Sequence, residues 1–68
     1  MIKVEICSFN EYKAGKQSRV HGDFLFWQME NKDIKCTLSH DKMFVLFEEE
    51  SEYEKFKARW VKPYRRLY

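Results

Sequence analysis

The side chains of this chain best suited to chemistry are Cys7, His21, Cys36 and His40, two thiols and two imidazoles of the kind that hold zinc. Zinc sites take such ligands in close pairs, Cys-x2-4-Cys or His-x3-5-His. The chain offers only Cys36-x3-His40, so its spacing argues against a metal site. A Cys/His nucleophile, whose partners meet in space rather than in sequence, has no supporting signature. Consecutive carboxylates at Glu48, Glu49 and Glu50 would suit general acid–base work if one were buried with a raised pKa. Placed before a helix, they read instead as a solvated turn matched to the helix dipole. Gly15 and Gly22 are too far apart to form a phosphate-cradling loop, and no cofactor fingerprint is present. No catalytic residue, metal ligand or cofactor is assigned, and enzyme activity is not expected.

With chemistry set aside, the elements decide what the chain presents. A chain of 68 residues makes one domain and buries roughly 60% of its unfolded surface. Twelve aromatic residues compensate for that small core, since each ring can bury about 150–250 Å². The charged and hydrophobic fractions, 35% and 44%, fit a soluble globular domain rather than a disordered or membrane class. The amino terminus lacks the basic and long apolar regions of a secretory signal, and two cysteines are too few for a secreted disulfide scaffold. A cytoplasmic location is expected.

The stretch Met43–Trp60 organises the rest, joining a dense apolar run to an amphipathic helix. Ahead of it, Ile2, Val4 and Ile6 alternate with Lys3 and Glu5, the period-2 pattern of a strand. Ser8 and Glu11 match a capping box that could start a short helical turn ending at Gly15; the competing reading makes Tyr12–Val20 an irregular strand or loop, with Gly15 supplying a turn. Residues 13–21 carry Lys13, Lys16, Arg19 and His21 without apolar periodicity and read as an exposed loop. Asp23–Glu30, with Phe24, Leu25, Phe26 and Trp27, reads as a strand apolar on both faces. Asn31–Asp33 then forms a turn, Ile34, Cys36 and Leu38 a third strand, and Met43–Phe47 a fourth, in an antiparallel meander. Ser51 is the expected N-cap of the last helix, and Pro63 sets its end near Lys62. Tyr53, Phe56 and Trp60 share one narrow sector of that helix, with Lys55, Arg59 and Lys62 on the other side. The expected fold is α+β: an antiparallel sheet of about four strands with one C-terminal helix packed on one face.

Two surfaces remain for function. Residues 48–54 hold five glutamates and no base, whereas residues 55–68 hold six bases and no acid. Lys55, Arg59, Lys62, Arg65 and Arg66, interleaved with Tyr64 and Tyr68, could neutralise phosphates and stack on bases. Binding of nucleic acid or a nucleotide by this tail is the alternative reading, and the nearby glutamates oppose it. The favoured reading is protein binding, because large apolar side chains outnumber what one short helix can cover, and Trp, Tyr and Arg dominate interface energetics. That implies a protein partner or a homodimer, with Trp27, Lys55, Arg59, Lys62, Tyr64, Arg65 and Arg66 as the binding residues.

The last third of the chain, a strand ending FEEE followed by a helix carrying Phe56 and Trp60, resembles the strand-to-helix endings of very small proteins encoded by tailed bacteriophages. The resemblance implies a viral accessory protein that binds and inhibits a host or defence factor, or serves in assembly.

Overall fold

The computed structural model describes residues Met1–Tyr68. Strand β1 (Ile2–Glu5) follows from the alternation at the amino terminus, with Ile2 and Val4 buried and Lys3 and Glu5 on the opposite face. Helix α1 (Phe9–Lys13) begins at the expected capping box. The Glu11 backbone N–H donates to Ser8 Oγ at 3.1 Å, and the Ser8 N–H donates to Glu11 Oε1 at 3.0 Å. Gly15, at φ +76°, reverses the chain in the left-handed region that glycine enters at least cost.

The next element corrects two expectations. Helix α2 runs over Gln17–Glu30, so the segment expected as a loop over 13–21 ends in helix, and Asp23–Glu30 is helical rather than a strand. The physical reason lies in spacing: Val20, Phe24 and Trp27 recur at four and three residues and turn to the core. The remaining apolar residues of the run, Leu25, Phe26 and Met29, stay exposed on the far side. Asn31 ends the helix by donating from Nδ2 to the Trp27 carbonyl at 2.8 Å.

Strands β2 (Thr37–Leu38) and β3 (Phe44–Phe47) form an antiparallel hairpin. Asp41 Oδ1 holds its turn by accepting from Ser39 Oγ at 2.5 Å and from the Met43 N–H at 3.1 Å. Helix α3 (Glu50–Arg59) is capped by Glu49, without a side-chain cap, rather than by Ser51. It stops at Trp60, earlier than Lys62. Strand β4 (Arg65–Arg66) then pairs with β1.

The sheet is four-stranded and antiparallel in the order β2-β3-β1-β4. The α+β class and the strand number agree with the sequence reading. The single C-terminal helix is replaced by three helices, and the meander by an insertion of β1 between β3 and β4. Val4 stands opposite Val45, and Ile2 opposite Phe47, on the face that α2 and α3 cover. Phe24, Trp27, Phe56 and Trp60 interlock there, with ring centroids 5.4–6.0 Å apart. Trp27 stands at 79° to Phe56 and 89° to Trp60, the edge-to-face arrangement that ring quadrupoles favour. No helix is long and apolar enough to cross a membrane.

Candidate protein-interaction surface

The basic side chains selected from the sequence do not form one patch. Each is engaged with a carboxylate. Lys55 Nζ lies 3.1 Å from Glu52, Arg59 Nη1 2.8 Å from Asp33, and Lys62 Nζ 3.5 Å from Asp23. Arg59 also donates to Asn31 Oδ1 at 3.3 Å, which ties the end of α3 to the end of α2. Arg66 Nη1 lies 2.9 Å from Glu50, and Arg65 Nη2 3.7 Å from Glu5. Register separates the two arginines further. Arg66 pairs with the inward Val4 and Arg65 with the outward Glu5, so they occupy opposite faces of the sheet. Arg66 lies over the Tyr53 ring at 4.7 Å.

The aromatic members of the expected site are structural. Tyr64 is half-buried, edge-on to Phe56 at 5.4 Å. Trp27 belongs to α2 and not to a sheet face, and it packs in the ring cluster. Its indole N–H, like that of Trp60, is buried without a hydrogen-bond partner.

Glu48, Glu49 and Glu50 are exposed. The carboxylate that is buried is Glu52, which sequence reasoning passed over. It accepts from the Lys35 backbone N–H at 2.7 Å and pairs with Lys55. Those two donors, the backbone N–H first, hold its carboxyl below the ordinary range, the opposite of what a general acid requires. Burial raises the Cys7 thiol, reinforced by Glu11, Glu5 and Asp41. Burial also raises Cys36, with the Gln28 hydrogen bond opposing it. Both are thereby kept as weakly reactive thiols. No three His, Cys, Asp or Glu side chains converge as a metal-binding group.

What the structure presents instead is the outer face of α2. Leu25, Phe26 and Met29 are 42%, 66% and 69% exposed. At 100° per residue they fall with Ser18 and Gly22 inside a sector of about 100°. Met29 points almost directly away from the core stripe of Val20, Phe24 and Trp27. Gly22 adds no side chain to this face, and a Cβ there would stand in open space with no atom within 4 Å. A loosely packed fold does not account for the exposure. The total accessible surface is 4800 Å², close to the roughly 4600 Å² of a compact monomer of this mass. The signal was present in the sequence: the run Phe24–Trp27 with Met29 carries two helical stripes, one for each side. Neighbouring charges on this helix, Arg19 and Glu30, are exposed and have no ion-pair partner. Comparison with known proteins finds no family model, curated protein or solved structure that matches this chain.

Proposed function

We propose that this protein is a small non-enzymatic protein-binding module whose contact surface is the outer face of α2. The observation that carries the reading is the set of three adjacent large apolar side chains, Leu25, Phe26 and Met29, exposed on a helix already anchored by its opposite side. Water-exposed apolar surface of this kind is relieved by association, at about 25 cal/mol per Å² removed from water. A helix fixed by Phe24 and Trp27 presents these side chains on a rigid support, so little ordering entropy opposes binding. The resemblance of the C-terminal strand and helix to small tailed-phage proteins supports a role as a phage-encoded inhibitor or modulator of a host or defence protein in the host cytoplasm.

Nucleic-acid binding by the tail is the weaker reading. Phosphates would have to compete with carboxylates already 2.8–3.7 Å from Arg59, Lys62, Arg65 and Arg66. The experiment is affinity capture with the natural chain and with Phe26→Asp, scored for protein and nucleic acid together. Protein retained by the natural chain and lost with Phe26→Asp supports the reading. Capture that is indifferent to Phe26→Asp, or salt-sensitive nucleic acid abolished by Arg65→Ala with Arg66→Ala, overturns it.

A further inference from the structure

We infer that the outer face of α2 closes on the same face of a second copy of this chain, with the two helices antiparallel; this rests on the reading that this face is the binding surface. Charge placement selects the orientation. Arg19 and Glu30 lie on one flank of the apolar stripe, beside Phe26, near opposite ends of α2. Two-fold antiparallel helices meet flank to like flank. A pairing centred between Phe24 and Leu25 therefore sets Arg19 of each copy against Glu30 of the other, giving two symmetric ion pairs from charges that the monomer leaves unpaired. A parallel pairing would bring each flank against the opposite flank, setting Arg19 and Glu30 beside His21 and Gln28 of the other copy and leaving both charges without an ion-pair partner.

Shape agrees with the same register. Phe26 of the second copy falls beside Gly22, where the missing side chain leaves room for a ring and close approach of the helices. Leu25 meets Leu25 across the axis, and Met29 reaches the small Ser18. On the other flank His21 falls opposite Gln28, a pair able to hydrogen-bond. The surface is self-complementary, as a two-fold interface requires.

Size sets the strength. A standard interface buries about 800 Å² per partner, one-sixth of the 4800 Å² surface of this chain. A single helix of 14 residues, about 21 Å long, covers less than that. The dimer is correspondingly weak, with a dissociation constant on the order of 100 µM.

Sedimentation equilibrium from about 10 µM to about 1 mM tests this on the natural chain, Phe26→Asp, Arg19→Glu, Glu30→Arg and the double charge swap, each first shown to be folded by circular dichroism. The expected results are a reversible dimer of the natural chain and a monomer for Phe26→Asp. Each single swap weakens the dimer about tenfold, and the double swap restores it to within about threefold. A natural chain that stays monomeric at about 1 mM overturns the second copy as occupant while leaving the α2 surface to its own capture test. A dimer that survives Phe26→Asp overturns the α2 surface itself. Loss of the dimer with Phe26→Asp but no rescue by the double swap overturns the antiparallel register.

Discussion

Phe24 and Phe26 provide a sharp test of how the chain is built, because a strand and a helix predict opposite behaviour for them. On a strand, residues two apart share a face and respond alike to truncation. On α2 they are about 200° apart, and Phe24 is fully buried while Phe26 is 66% exposed. Phe24 packs against Trp27 at 5.8 Å and Trp60 at 6.0 Å, so Phe24→Ala opens a cavity between α2 and α3. Truncations of this kind cost about 3–5 kcal/mol. A domain of 68 residues has only about 3–10 kcal/mol of total stability, so Phe24→Ala is expected to remove about a third of it or more and to move the urea midpoint far down. Phe26→Ala should change stability by no more than about 0.5 kcal/mol. Urea denaturation followed by Trp fluorescence measures both, at a protein concentration of a few µM, where association contributes nothing. Equal losses for the two variants would refute the helix and the two-sided reading of α2 together.

Other outcomes follow from particular contacts. Trp27→Ala should destabilise the fold by about 3 kcal/mol, since the ring is part of the core. Trp27→Phe should stay within about 1 kcal/mol of the parent, because it also removes a buried, unpartnered N–H; a large loss in urea denaturation would show that the N–H has a partner. Asp33, Asp41 and Glu52 have depressed carboxyl pKa values, from Arg59, from Ser39 and the Met43 N–H, and from the Lys35 N–H and Lys55. Stability from these groups is full above the ordinary carboxylate range and is lost as pH falls through their lower folded-state values. Glu52→Gln should therefore lower the urea midpoint at pH 7, with the deficit shrinking toward pH 3; a deficit constant with pH would contradict this. Lys42 holds a left-handed φ of 64°, so Lys42→Gly should raise stability by about 0.5–1 kcal/mol in the same assay, whereas a loss would mean that its side chain matters more than its backbone. A thiol-reactive disulfide reagent should modify half-buried Cys36 first and fully buried Cys7 only on unfolding, and the reverse order by mass spectrometry would contradict the burial.

Much of the fold was readable because local signals agreed with tertiary placement. The alternation of Ile2, Val4 and Ile6, the Ser8/Glu11 box and the Tyr53, Phe56, Trp60 stripe all lie where residue spacing put them. Helix α2 is not legible in the sequence because Phe24–Trp27 is apolar on two sides of a helix, and a short apolar run without an evident polar face imitates a central strand. Strand β4 was hidden for another reason. Arg65 and Arg66 pair with β1 through their backbones, which leaves no side-chain alternation to read. At the surface, residue type was visible but partnership was not. Arg59 meets Asp33, Lys62 meets Asp23 and Arg65 meets Glu5, all across long stretches of chain, so a tail that looks strongly basic in sequence is locally neutralised when folded. The size that marks Trp27 as a contact residue in the sequence is also what packs it against the core.

The most direct test of the α2 surface is site-resolved. Heteronuclear NMR spectra of the natural chain, recorded as it is diluted from about 1 mM to about 20 µM, report each residue separately. Concentration-dependent shifts should gather on Gly22, Leu25, Phe26 and Met29, with the Met29 methyl among the largest, while Lys55, Arg65 and Arg66 stay fixed. Shifts centred on the C-terminal tail, or none anywhere in that range, would contradict a self-complementary apolar face on α2.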